Sequence, residues 1–254
     1  RRLAAMKNQW AGTILFVVQP AEERGGGAKA MLDDGLFTRF PKPDYALAFH
    51  VSAEQPAGTV SASEHVQASS SDSLDIKVHG IGAHGAAPNQ GKDPVYMGSQ
   101  IVIALQGLIS RERMPLDPAV ITVGSFHSGI KHNVIPDEAM LQITVRANDP
   151  AERNALIEGI KRVARSIGTL NGMPEDKLPE IAILESVPAT INDTALHHRL
   201  NDVLTATLGA QKVLPFAQNN MAAEDFAYFV LPETGVKGYY FTVGGTEQAT
   251  LDKA

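Results

Sequence analysis

The chain is 254 residues long, 44% hydrophobic and free of cysteine, with a formal net charge of −6. This length and apolar content suit one large domain or two of ordinary size. The lack of cysteine excludes disulfides, thiolate metal sites and a cysteine nucleophile. An acidic balance, no basic run and a single tryptophan argue against nucleic acid as a partner. No Walker pattern is present. No stretch has the apolar length of a membrane span and no signal peptide opens the sequence, so no membrane contact and a cytoplasmic setting are expected.

Arg1-Arg2-Leu3-Ala4-Ala5-Met6 reads as the end of a helix. Thr13-Ile14-Leu15-Phe16-Val17-Val18 reads as a buried strand that Pro20 terminates, since proline cannot donate to a sheet ladder. Glu22 and Glu23 would then sit where that strand stops, the usual crevice position for sites in open α/β sheets. Gly25, Gly26 and Gly27 permit a tight turn into a short helix over 27–34, with Gly35 as its left-handed C′ residue. Adjacent carboxylates repel, and both stay ionised at neutral pH only if a cation or strong donors compensate them. One metal ligand and one general base is a natural division of labour. A solvated loop pair is the alternative.

After the breakers Pro41-Lys42-Pro43-Asp44, residues 45–51 read as a second apolar strand, with His50 near its end. His50 is either a metal ligand beside Glu23 or a histidine bonded to backbone. A short strand is expected over 58–63, and the small polar run 67–73 reads as a joint between domains. Residues 74–79 alternate apolar and polar with period two. A glycine-rich loop then presents His84. Asp93-Pro94 and Asp149-Pro150 supply N-cap and first-turn proline for helices reaching about 110 and 167. Strands are expected over 119–126 and 138–146. This order is that of a small α+β sandwich whose open sheet edge a homodimer would cover. After a second joint at 171–179 come a strand over 181–185, a helix from Asp193, another from about Ala222 and a final strand over 238–244. The expected organisation is a catalytic domain in two parts, 1–68 and 178–254, interrupted by an inserted domain, 69–177.

Gln19-Pro20-Ala21-Glu22-Glu23 with Gly26-Gly27-Ala28, the strand holding His50, and Gly82-Ala83-His84-Gly85-Ala86-Ala87-Pro88 with Asp93-Pro94 resemble the M20 metallopeptidase family. So do Asn133-Val134-Ile135-Pro136-Asp137, Thr144-Val145-Arg146 and Glu224-Asp225-Phe226, and the likeness runs over essentially the whole chain. Within the family it is most similar to the amidohydrolase branch that includes hippurate hydrolases and N-acyl-amino-acid amidohydrolases. The resemblance implies a metallopeptidase-like α/β catalytic domain with an inserted α+β lid that also dimerises. It implies Glu22 as general base, Glu23 and His50 as ligands of a divalent metal (zinc or manganese), and His84 and Asn133 as donors to the oxyanion or the substrate carboxylate. It implies Arg146 as a further carboxylate-binding residue, and a structural role for Glu224 and Asp225 through the helix dipole. Relatives carry a Cys and a Gly-His-Asp-Gly-His-Thr segment ahead of the matched region and a histidine after the last strand. Of their set of about five ligands, Glu23 and His50 stand in this sequence. Asn89 occupies a position where relatives often have a second histidine.

The chemistry suits those residue types. A metal lowers the pKa of bound water and polarises an amide carbonyl, and a carboxylate takes the water's proton and passes it to the leaving amine. The expected reaction is cleavage of an N-acyl amino acid or short peptide into a carboxylic acid and an amino acid. A non-catalytic dimeric form of the fold is the alternative. A carboxylate-only hydrolase using Glu22 and Glu23 fits less well, because consecutive strand residues point to opposite faces. His65, His79 and His127 are expected in surface or satisfied roles, and so is His132, with a substrate contact beside Asn133 as its alternative. The adjacent pair His197-His198 diverges by about 100° on a helix.

Overall fold

A computed structural model describes residues 2–253. In chain order its helices are α1 (Arg2–Ala5), α2 (Gly27–Asp33), α3 (Leu36–Arg39), α4 (Pro94–Arg111), α5 (Pro150–Leu170), α6 (Thr194–Leu208) and α7 (Gln248–Leu251). Its strands are β1 (Tyr45–Pro56), β2 (Val60–Ser61), β3 (Val66–Ala68), β4 (Ser71–His79), β5 (Ala83–His84), β6 (Ala119–Ser128), β7 (Val134–Ile135), β8 (Glu138–Ala147), β9 (Glu180–Val187), β10 (Thr190–Ile191), β11 (Val213–Leu214) and β12 (Lys237–Thr246). They form two four-stranded sheets, β1-β12-β2-β11 and β6-β8-β4-β9, and two short pairs, β10-β3 and β5-β7. No helix among the described residues is long and apolar enough to cross a membrane.

The second sheet follows from its alternation. On β4 the side chains of Leu74, Ile76 and Val78 are buried, and on β8 so are Leu141, Ile143 and Val145. This inner face meets α4 and α5. Each helix begins as its sequence dictates: Asp93 accepts from the amides of Val95 and Tyr96, and Asp149 from those of Ala151 and Glu152. The helices bury Met97, Ile101, Leu105 and Leu108, and Leu156, Ile160 and Ala164, at the spacing of one face. Each fully buried aliphatic side chain here is worth roughly 1.5–3 kcal/mol. Together with both strands they form one continuous core.

Period two also places Asp72 on that inner face, where it is fully buried. Arg153 of α5 answers it with a fork, Nε to Oδ2 and Nη2 to Oδ1, each at 2.7 Å. Ser186 Oγ adds a third bond to Oδ1 at 2.7 Å. A buried carboxylate is tolerable only with this degree of compensation.

The residues of 181–185, grouped by sequence with the closing segment, instead lie in β9 and pair antiparallel with β4. Ile181 is half-buried and 182–185 are exposed, as suits an edge strand, and β4 offered the free edge. The joint read at 67–73 is packed. Ser69, Ser70 and Asp72 are buried, and β3 pairs with β10, so that the outgoing and returning chain cross side by side.

The first sheet is mixed. β1 runs parallel to β12, β12 antiparallel to β2, and β2 parallel to β11. Ala46 and Ala48 of β1 pack on a smaller core of Ala28, Leu36, Phe226, Phe229 and Tyr240, while Leu47, Phe49 and Val51 face outward, 55–63% exposed. Three expectations change here. Residues 13–18 are not a strand: Phe16 is 73% and Val18 89% exposed. A strand exists only as a pairing, and no strand pairs with the free edge of β1 among the described residues. His50 is also mid-strand, because β12 carries the ladder on and β1 extends to Pro56. The segment from Ala222 forms a six-residue 3-10 turn, Asp225–Val230, in place of an α-helix.

Candidate functional site

The acidic turn is built under constraint. Ala21 has φ 54°, the one non-glycine residue with positive φ among those described, and such strain concentrates at functional sites. Glu22, Glu23 and Arg24 form a single 3-10 turn closed by Gly25 at φ 61°. The chain then folds back so tightly that a Cβ on Gly27 would stand 1.7 Å from the Pro20 carbonyl oxygen. Gly35, at φ 87°, follows α2 in the left-handed conformation its sequence position calls for.

What fastens this turn is Asp225, which is 1% exposed. Its Oδ1 accepts from the Gln19 side-chain amide and its Oδ2 from the Ala28 backbone N–H at 3.0 Å. One carboxylate therefore joins the two ends of the segment carrying Glu22 and Glu23. Glu224, beside it, takes the Phe226 N–H on Oε1 and the Tyr240 hydroxyl on Oε2. Burial and the bond to Glu224 push the Tyr240 hydroxyl far above its usual range, so it stays a donor.

The structure brings Glu22, Glu224 and Asp225 together, with one oxygen from each lying within 4.8 Å of the others. Burial, then Glu224, Glu23 and Asp225, raise the Glu22 carboxyl above its ordinary range, and His50 opposes the shift. A carboxylate placed this way holds a proton more readily, as a general base must. Glu23 is exposed and lies outside this group, and so does His50. The sequence treated Glu224 and Asp225 as structural. Asp225 does have that part, but Glu224's place beside Glu22 was missed. A second adjacent acidic pair, mirroring Glu22-Glu23, was the available signal.

The two histidines singled out by sequence carry opposite tautomers. His50 Nδ1 is 2.7 Å from the Val51 carbonyl oxygen. A carbonyl only accepts, so Nδ1 holds the proton and, in the neutral ring, Nε2 keeps its lone pair, the form a metal ligand needs. His84 Nδ1 accepts from the Ala86 N–H at 3.0 Å, which places the proton of the neutral ring on Nε2, the form of an oxyanion donor. His84 lies on β5 opposite Val134, and the Gly85 N–H bonds the Asn133 carbonyl at 2.8 Å. His84 and Asn133 are thus neighbours on one exposed ribbon of the second unit. Arg146, half-buried on β8, donates from Nη1 to the Met221 carbonyl at 3.0 Å.

The fold is thus two units joined by paired crossing strands, with a carboxylate group on the turn of one and a histidine–asparagine ribbon on the other. A crystal structure of a provisionally assigned aminohydrolase from methicillin-resistant Staphylococcus aureus matches it with a TM-score of 0.84 at 27% identity, covering 97% of this chain and 61% of that one. The chain belongs to peptidase family M20/M25/M40, whose family model matches residues 1–252. Hippurate hydrolase of Campylobacter jejuni is 35% identical over 223 residues, 86% of this chain and 56% of that protein. A dinuclear metal binding peptidase of the M20 family from Bacillus subtilis shares the fold, with a TM-score of 0.75 at 24% identity, covering 99% of this chain and 65% of that one. The chain spans a little over half the length of the curated relatives it matches.

Proposed function

We propose that this chain is a metal-dependent amidohydrolase that cleaves N-acyl amino acids of the hippurate kind into a carboxylic acid and an amino acid. The observation carrying this reading is the carboxylate group Glu22–Glu224–Asp225, fastened to the strained Ala21 turn. Donors already answer Asp225 and Glu224, which leaves Glu22 as the member whose charge calls for a cation or a proton, and Nε2 of His50 is a neutral ligand of the right kind. These donor types suit a divalent cation, and the likeness to the dinuclear metal binding peptidase of Bacillus subtilis supports the same reading. Glu23, next in the chain to Glu22, and His50, which acts on Glu22 electrostatically, would hold it from outside the Glu22–Glu224–Asp225 group, with zinc or manganese the candidates.

When bound, the metal polarises the amide carbonyl and acidifies a water. The remaining steps belong to side chains. Glu22, with its raised proton affinity, takes a proton from water and delivers it to the leaving nitrogen. The Nε2–H of His84 and the amide of Asn133 donate to the carbonyl oxygen as it becomes negative, each contributing about 3–4 kcal/mol when properly aimed. Arg146 already donates from Nη1 to the Met221 carbonyl, and its remaining donors are the ones open to the substrate carboxylate. Closure of the second unit over the first excludes water, and pairing of two copies through that unit would cover its open edge strand β6. A cytoplasmic setting accompanies this reading.

Glu22→Gln tests it. In protein equilibrated with zinc or manganese, hippurate turnover should fall about 100- to 10,000-fold with metal content unchanged. Loss of metal with the fold retained would make Glu22 a ligand. Absence of both metal and turnover in the unaltered chain would leave the non-catalytic dimeric reading.

A further inference from the structure

The segment bearing Glu224 and Asp225 has little structure of its own. After β11 the chain runs from Pro215 to Ala223 without helix or strand and enters the 3-10 turn Asp225–Val230. Such a segment keeps one shape only if outside groups satisfy its backbone.

Those groups come from the second sheet and the crossing that leads to it. Three residues ahead of Glu224, the Met221 carbonyl accepts from Arg146. The Ala222 carbonyl accepts from the Ser69 amide at 2.8 Å. Gln218 is locked in a triangle: Asn148 Nδ2 donates to its Oε1 at 2.8 Å, its Nε2 donates to Ser69 Oγ at 2.9 Å, and Ser69 Oγ donates to Asn148 Oδ1 at 2.6 Å. Three residues past Asp225, the Tyr228 hydroxyl donates to the Ser186 carbonyl on β9. The acidic pair is thus bracketed at equal distance on both sides by bonds to the other unit.

Arg146 is the unusual member of this set. A half-buried guanidinium ordinarily meets a carboxylate, yet among the described residues the arginine ion pairs are made by Arg39, Arg113, Arg153, Arg162 and Arg165. The recorded partner of Arg146 is a peptide carbonyl.

We infer that Arg146 is a positioning residue: through the Met221 carbonyl it sets where Glu224 and Asp225 stand, and through Asp225's bonds to Gln19 and Ala28 it sets the turn that carries Glu22. The inference rests on the reading of this cluster as the reaction centre, but its physical content can be measured without turnover. Movement of the second unit would be transmitted to the carboxylates through the same bond.

Hydrogen exchange of the intact chain tests it. In Arg146→Ala, peptides covering 19–30 and 221–230 should exchange about tenfold faster, while peptides of β4 and β8 stay as they were. Arg146→Lys should restore most of the protection, since one ammonium donor suffices for a carbonyl, although it cannot make a two-pronged carboxylate contact. Unchanged exchange in both peptides overturns the inference. If Arg146→Ala fails to fold, Arg146→Met keeps the apolar stem and removes only the donors to the Met221 carbonyl. The same peptides must then exchange faster, and unchanged exchange again overturns it.

Kinetics separate this from the substrate contact. A positioning role lowers kcat alike for an N-acyl amino acid and for an N-acyl amine lacking the carboxylate. A raised KM confined to the acid, with exchange unchanged, overturns it. An inactive parent chain would remove the hydrolase reading and leave the exchange result standing.

Discussion

The two sheets of this molecule are built by different rules. In the second, β4 and β8 are central, each strand has one apolar face, and α4 and α5 cover it, so that Leu141, Ile76 and Val145 are fully buried. In the first, β1 is apolar on both faces and only one is covered. Phe49 is 63% exposed although its ring lies 5.4 Å from that of Phe241. One unit closes its core from its own residues, whereas the other carries the acidic turn beside an uncovered face. Burial is therefore concentrated in the second unit, and the acidic group of the first depends on bonds that reach across.

The sharpest attack on this comparison is Asp72→Asn, which leaves Arg153 without its counter-charge inside the second unit. It should cost about 3–5 kcal/mol in urea unfolding, and a cost near zero would show that the buried fork does not secure that unit. Leu141→Ala should cost about 2–5 kcal/mol. A much smaller value would mean that the second core is not the closed one.

Glu22→Gln bears on the first unit with the opposite sign. The folded Glu22 carboxyl titrates above its ordinary value of 4.5, so the folded chain binds the extra proton, and ionising Glu22 at higher pH costs stability. The metal-free variant should melt higher than the parent at neutral pH, with the gain vanishing below about pH 4. A lower melting temperature would show that the ionised carboxylate is stabilising. The smallest expected change is Phe49→Ser on the uncovered face, within about 0.5 kcal/mol of the parent. A larger loss would mean that this face is covered in solution.

Legibility in the sequence followed the same division. The helices opening at Asp93 and Asp149 and the alternating strand of residues 74–79 were readable because caps and period two act within a few residues of chain. The Asp72–Arg153 fork was not read, although an aspartate at an inward position of an alternating strand announces that a partner must exist. Residues 13–18 misled, because β-branched composition expresses a preference for pairing and supplies no partner. The 181–185 strand was assigned to the wrong sheet for the same reason: edges are chosen by what lies alongside. At the site, Glu22, His50, His84 and Asn133 stood out by residue type and motif, and their tautomers did not, since those depend on the Val51 carbonyl and the Ala86 amide.

The sequence by itself determined the family, the local elements and the residue types able to do hydrolytic chemistry, since each of these is written in neighbouring positions. Only the tertiary structure decided that Glu224 joins Glu22, that Asp225 clasps the ends of the acidic turn, and that Arg146 reaches Met221. Those contacts link residues about 75 to 200 positions apart, and no local periodicity or capping rule extends so far.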